Sequence, residues 1–194
     1  MVEASLTTGR LEAFSDGVLA IIITIMVLDL KIPHEGTLEA LYPMRHVFLG
    51  YVLSFVYVGI YWNNHHHLMH TVKHVTAGIM WANLHLLFWL SLLPFVTGWV
   101  GEHPADAWPA ALYGMVLMAA AMAWLVLQGA IVRAGGSLAV ANGKDVKGKV
   151  STLLCALGIA AAFVRPSIAY AAFALVAAIW IVPDRRIEKT IAPL

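Results

Sequence analysis

Apolar residues fill most of this 194-residue chain in segments long enough to cross a bilayer. A helix that spans the hydrocarbon core takes about 20 mostly apolar residues, with a range of roughly 17–25. We therefore predict an all-α integral membrane protein with six spans, of which the last two are the shortest. Their approximate bounds are 17–32, 44–62, 77–100, 108–132, 150–164 and 167–182, all within one domain that covers residues 1–194.

Prolines and charged residues predict how these spans end and bend. Pro33 and Gly36 follow the first span, which indicates that its helix stops before them. Pro94 lies inside the third span and predicts a kink or an unwound turn at that point. Only Arg165 and Pro166 separate the last two spans, so we expect these to form a tight helical hairpin.

The composition agrees with a membrane protein. Hydrophobic residues make up 61% of the chain and charged residues 12%, whereas soluble domains average about 45–50% apolar and 25% charged residues. The formal net charge is only +1, so the chain has no basic excess of the kind that nucleic-acid binding needs. We expect the lipid bilayer, and no nucleic acid, as a partner.

The positions of Lys and Arg predict the orientation, because cytoplasmic loops carry an excess of these residues. On one side of the membrane lie Arg10, Lys73, Arg133, Lys144, Lys147, Lys149, Arg185, Arg186 and Lys189. On the other side lie Lys31, Arg45 and Arg165. Both termini are therefore expected to be cytoplasmic.

The first span follows directly after charged residues, in the stretch RLEAFSDGVLAIIITIMVLDL. An ionised carboxylate in a membrane helix is costly unless it is paired or hydrated, so Asp16 needs a partner. Arg10 lies about 240° away around a helix, and Glu12 has the same sign of charge. Two compatible interpretations remain: a helix N-cap by Ser15 or Asp16, or a polar network with another span. The candidate partners are Asn63, Asn64, His65, His66, Asn83 and His85.

An apolar stripe follows on the same helix. Ile21, Thr24, Ile25 and Leu28 have the i, i+3, i+4, i+7 spacing of one helical face, and Asp16 lies about 140° from Ile21. Periodicity alone favours helix packing over a pore wall for such a stripe.

A histidine-rich segment, NNHHHLMHTVKH, ends the second span. His67, His70 and His74 share a face at i, i+3, i+7 and could hold zinc or nickel. The segment contains no carboxylate or cysteine, so we favour a partly solvated span end with no metal. A histidine-linked metal or proton transporter with these three ligands remains the alternative.

The sequence contains no enzyme signature. It has no H-E-x-x-H pair, no nucleophile elbow and no glycine-rich phosphate loop. It also lacks the T-V-G-Y-G loop of potassium-channel filters. We expect neither catalysis nor a cofactor.

The pattern R-x-x-x-F-S-D at Arg10, Phe14, Ser15 and Asp16, in a span that ends in VLDLKIP, resembles the transmembrane protein 175 family. This family comprises potassium channels of lysosomes and their bacterial relatives. Further similar motifs are Trp62-x-x-His65, Asn83-Leu84 and Leu93-Pro94-Phe95. Six spans without a filter loop also fit the bacterial members.

The resemblance implies a homotetramer in the plasma membrane of a bacterium, which passes potassium ions in preference to sodium. The first span of each subunit would line a central pore. The resemblance places the constriction at Ile21, with Thr24, Ile25 and Leu28 as further pore layers. It implies that Phe14, Ser15 and Asp16 of the signature are held by polar groups of spans two and three, for which His65 and Asn83 are the candidates.

Overall fold

The structure is a computed structural model that describes residues 7–136 and 146–181. In this part of the chain the helices are α1 (Thr8–Leu28), α2 (Arg45–Met69), α3 (Ala77–Ser91), α4 (Leu93–Glu102), α5 (Ala107–Arg133), α6 (Val146–Ala162) and α7 (Pro166–Ile181). A 3₁₀ helix, Leu38–Met44, precedes α2. The predicted all-α fold is confirmed, and α3 together with α4 forms the third of the six helical segments found among the described residues.

Four of these segments are long and apolar enough to cross a membrane by length and composition. They are Thr8–Leu28, Leu38–Met69, Ala77–Glu102 and Ala107–Arg133. The last helix, α7, is a shorter apolar helix, and α6 has 17 residues. The predicted end of the last span at Val182 lies outside the described residues, as do Lys144, Arg185, Arg186 and Lys189.

The first helix begins earlier than the sequence predicted. It starts at Thr8 with Thr7 as the N-cap residue, and it continues without a break through Ser15 and Asp16. The prediction that Ser15 or Asp16 caps the helix is therefore wrong. The reason is that Leu11 and Ser15 are buried on the same face as the later apolar residues, so tertiary packing favours a helix through the charged stretch.

The third span is interrupted where Pro94 predicted it. Helix α3 ends with Leu92 as its C-cap, and Pro94 is the second residue of α4. A proline in the first helical turn costs little, because the N–H that it lacks would have no partner within the helix. Leu93 and Val96 are buried at this break, which shows that it is packed into the core.

The last two helices form the predicted tight hairpin. Only residues 163–165 separate them, and Pro166 is the first residue of α7. Phe173 of α7 is fully buried and fills the space beside Gly114 of α5 and Gly158 of α6. A Cβ atom at Gly158 would lie only 2.7 Å from the Phe173 ring. Glycine therefore permits the close approach of these helices.

Contacts at both ends of the helices show which loops lie together. Lys31 after α1 pairs with Glu102 at the end of α4, at 2.9 Å, and this exposed carboxylate raises the pKa of Lys31. At the opposite end, a Cβ atom on Gly136 would lie 3.1 Å from the Thr71 carbonyl oxygen. The segments that follow α2 and α5 are therefore neighbours. This is expected if successive spans cross the membrane in alternating directions.

We expect Gly158→Val to destabilise the fold, because the added methyl groups collide with the immobile Phe173 ring. Overpacking of this kind costs about 1–3 kcal/mol. The melting temperature of the detergent-solubilised protein, followed by tryptophan fluorescence, should fall. Gly129→Val in α5 is the matched control, because a Cβ atom there meets no atom within 4 Å. Equal melting temperatures for the two variants would contradict the packing described.

Candidate functional site

Helix α1 has one face that is buried in the subunit. Its buried residues are Leu11, Ser15, Leu19, Ile22 and Met26, which recur every three or four positions, as one side of a helix does. This face packs against α2, α3 and α4. The single polar residue in this stripe is Ser15, and its side chain is fully buried.

A chain of hydrogen bonds connects Ser15 to two other helices. Its hydroxyl donates to the Leu11 carbonyl oxygen at 2.9 Å and accepts a hydrogen bond from the Asn83 side-chain nitrogen at 2.9 Å. The side-chain carbonyl oxygen of Asn83 then accepts a hydrogen bond from Nε2 of His65 at 2.8 Å. This order of donors and acceptors assigns the His65 proton to Nε2, because a carbonyl oxygen can only accept.

We call Ser15, Asn83 and His65 the polar clamp. Its three side chains come from α1, α3 and α2 and are all almost completely buried. A buried polar group that loses its partner costs about 1–3 kcal/mol. Any rotation of α1 that removed Ser15 from Asn83 would break this chain, so the clamp fixes the rotation of α1 about its own axis.

The other ring nitrogen of His65 is less well satisfied. His65 Nδ1 is buried and has no hydrogen-bond partner in the described part of the chain. The Asp16 side chain makes no hydrogen bond to a described residue. Contrary to expectation, Ser15 and not Asp16 makes the direct bond to the neighbouring helices.

The remaining signature residues point away from these helices. Phe14 is 54% exposed, and Arg10 is exposed near the start of α1. Within the described residues neither side chain reaches the polar clamp. Their place in a signature network remains a prediction.

The predicted stripe lies outside the buried face of α1. Ile21, Ile25 and Leu28 are 57%, 45% and 80% exposed, and Thr24 is exposed between them. The Thr24 hydroxyl donates to the Ile21 carbonyl oxygen at 2.9 Å. The subunit itself therefore leaves this whole stripe uncovered.

A second buried polar cluster was not foreseen from the sequence. The Ser54 hydroxyl lies 2.6 Å from the Thr97 hydroxyl and 3.0 Å from the Tyr113 hydroxyl. These three residues connect α2, α4 and α5. Single hydroxyl residues in separate apolar spans carry no signal of which ones meet, so sequence reasoning missed this contact.

The histidines do not form the triad that their spacing suggested. Helix α2 ends at Met69, so no helical face carries His67 and His70 on to His74. Within the described residues, the group whose ligand atoms lie within 4.8 Å of one another is Glu12, His66 and His70. His85 instead accepts a hydrogen bond from the Trp89 indole at 2.9 Å.

The polar clamp yields a test of its own. We expect Asn83→Leu to lower the melting temperature, because it leaves the buried His65 Nε2 without its acceptor and removes the hydrogen bond that the Ser15 hydroxyl accepts. The cost is about 1–3 kcal/mol for each unpaired group. Asn63→Leu is the control, since Asn63 is only partly buried and its side chain has no hydrogen bond in the described part of the chain. If both variants melted like the wild type, the clamp would be energetically unimportant.

Comparisons with known proteins agree with this architecture. Residues 10–94 match the family model of the endosomal/lysosomal potassium channel TMEM175. A potassium channel of Chryseobacterium sp. (strain P1-3) is 52% identical over 189 residues, which cover 96% of this chain and 98% of that protein. A potassium channel of Streptomyces collinus is 35% identical over 136 residues, 66% of each chain.

The fold is also that of a solved structure. The crystal structure of a lysosomal potassium-selective channel TMEM175 homolog from Chamaesiphon minutus superposes with a TM-score of 0.75 and 23% identity, over 92% of this chain and 97% of that one. The family is one of ion channels and not of enzymes. From the extent of its identity to the Chryseobacterium protein, together with the family match, the chain belongs to the TMEM175 family.

Proposed function

We propose that this protein is a potassium channel in which four identical chains surround a pore lined by α1. The observation that carries the proposal is the exposed stripe of Ile21, Thr24, Ile25 and Leu28, on a helix whose other face is packed into the subunit. The names of the bacterial relatives support potassium as the ion. Besides the other subunits and the permeant ion, the proposal includes the lipid bilayer as a partner. It includes no cofactor.

A ring of subunits would place the exposed stripe of each chain around a common pore. In a closed ring, symmetry brings the same face of each α1 towards one axis. The stripe combines three large aliphatic side chains with one hydroxyl, and it runs over two helical turns. The regular spacing of these four exposed residues suits the wall of a pore in which each residue forms one layer.

The proposed constriction works without a carbonyl filter. Four Ile21 side chains offer a hydrated cation no oxygen ligands, so an ion passes only if it sheds part of its water or if the ring widens. Potassium loses water more cheaply than sodium, which favours potassium modestly. A narrow ring expels water and closes the pore. Thr24, one turn further along, would offer an oxygen to the ion on one side of the ring.

The polar clamp would determine where this constriction lies. Each residue advances the helix by 100°, so a shift of α1 by one residue in its contact with Asn83 would turn Ile21 away from the axis. A buried, directional hydrogen bond resists such a shift, whereas apolar packing alone tolerates it. We therefore assign Ser15 a role in positioning the pore helix and no role in contacting ions.

The same proposal includes the location and the orientation. We place the channel in the plasma membrane of a bacterium with both termini in the cytoplasm. The described cations Arg10, Lys73, Arg133, Lys147 and Lys149 belong to segments at one end of the alternating helices, and the excess of Lys and Arg at this end supports that orientation.

Flux measurements on Ile21→Ala test the pore assignment. Four smaller side chains widen the proposed ring and lower the cost of ion passage, so potassium flux into liposomes should rise. The ratio of potassium to sodium flux should fall towards one, because less dehydration is required.

Leu125→Ala is the matched control for this experiment. Leu125 is similarly exposed on α5, away from the proposed axis, so its truncation should change neither flux nor selectivity. An Ile21→Ala protein with wild-type flux and selectivity would exclude Ile21 as the constriction. Absence of potassium flux in the wild type under every condition tried would contradict the channel function itself.

A further inference from the structure

We propose that His66 and His70 at the end of α2 bind a first-row divalent transition metal such as Zn²⁺, with Glu12 at the start of α1 as the carboxylate that supports His66. The candidate ligand atoms of these three residues all lie within 4.8 Å of one another. This set differs from the histidine triad suggested by the sequence spacing. The inference does not depend on potassium conduction.

The two histidines have the separation that a metal ion needs. His66 Nε2 and His70 Nε2 are 3.2 Å apart. Two imidazole nitrogens bound to zinc in tetrahedral geometry, each about 2.0–2.1 Å from the ion, lie about 3.3–3.4 Å from each other. His66 and His70 are four residues apart at the end of α2, so the helix holds both rings on the same side.

Glu12 completes the arrangement from α1. Its carboxylate lies 2.6 Å from His66 Nδ1 and accepts a hydrogen bond from the N–H of that nitrogen. His66 Nε2 then carries a lone pair, which lies 3.2 Å from His70 Nε2. A carboxylate that holds one nitrogen of a histidine while the other binds metal is a recurring feature of zinc sites. Glu12 therefore orients His66 and supplies negative charge.

The surroundings make binding accessible and indicate the class of metal. The side chain of His66 is 47% exposed and that of Glu12 is 22% exposed, so the ion can enter from solvent and keep water as a further ligand. Imidazole ligands favour zinc, nickel and copper, whereas magnesium and calcium require mainly oxygen ligands. We therefore expect the site to discriminate between these two classes.

The site has a structural consequence for α1. Glu12 lies three residues before Ser15 on the same helix, close to the point where the polar clamp holds α1. A metal bound to His66 Nε2 would strengthen the existing contact between Glu12 of α1 and His66 of α2. Because a ligand that binds only the folded protein stabilises it, the melting temperature should report on occupancy.

Calorimetry with ZnCl₂ tests the site on the full-length protein in detergent, after removal of any affinity tag and treatment with EDTA. We expect saturable binding of one zinc ion per chain, a higher melting temperature with ZnCl₂, and reversal by EDTA. MgCl₂ should give neither effect. His66→Gln and His70→Gln should each weaken binding more than tenfold, and Glu12→Gln by about 10–100-fold, as is typical when a supporting carboxylate is lost.

His67→Gln is the matched control, because His67 is adjacent to His66 but does not belong to the three-residue group. It should bind zinc as tightly as the wild type. The proposal would be overturned if His70→Gln retained wild-type affinity, if His67→Gln lost as much affinity as His70→Gln, or if MgCl₂ stabilised the protein as ZnCl₂ does. Melting temperatures in EDTA verify that each variant is folded. Because His66 and His70 are both exposed, each can be replaced separately, and a variant that fails to fold leaves the other to test the site.

Discussion

The hydrogen bonds from Ser15 through Asn83 to His65 constrain the position of the first helix more than any apolar contact does. Aliphatic side chains on a membrane helix pack almost as well after a small rotation, because their attraction has little directional preference. A buried donor that loses its acceptor has no water to replace it. The clamp therefore selects one rotation of α1, and this rotation leaves Ile21, Thr24, Ile25 and Leu28 uncovered.

The rest of the fold supports Asn83 and His65 in the positions that the clamp needs. Asn83 lies on α3, which ends at the break before Pro94. The second polar cluster, Ser54 with Thr97 and Tyr113, connects the continuing helix α4 to α2 and α5. Because hydrogen bonds hold both halves of the interrupted span, the break bends the chain without loosening it. The glycine contacts around Phe173 then pack the final hairpin against α5.

The sequence predicted the helices well because their signals are local. The lengths of the apolar stretches predicted six segments, and Pro94 predicted the break in the third. The hairpin was predicted because only Arg165 and Pro166 separate the last two spans. The start of α1 was missed because Arg10 and Glu12 look like a polar leader, although Leu11 between them and Ser15 after them are buried. The burial of these two residues depends on helix packing, and the pattern of charges in the sequence does not indicate it.

Contacts between distant residues were harder to predict than helices. The resemblance to a known family singled out Ser15, His65 and Asn83, but adjacent residues differ by 100° on a helix, and only the structure shows that Ser15 rather than Asp16 makes the bond. Likewise, the meeting of Glu12 with His66 depends on how α1 and α2 cross. No spacing within the histidine segment encodes that crossing.

The proposed channel requires α1 to turn one face to the protein and another to a water-filled pore. Single cysteines along α1, introduced with the buried Cys155 replaced by alanine, test it directly when a charged, membrane-impermeant thiol reagent is applied during flux measurements. Cysteines at positions 21, 24, 25 and 28 should react and block potassium flux, because only a pore gives them water. Cysteines at 19, 22 and 26 should be protected. Unreactive cysteines at positions 21, 24, 25 and 28, or equal reactivity along the whole helix, would contradict a pore lined by α1.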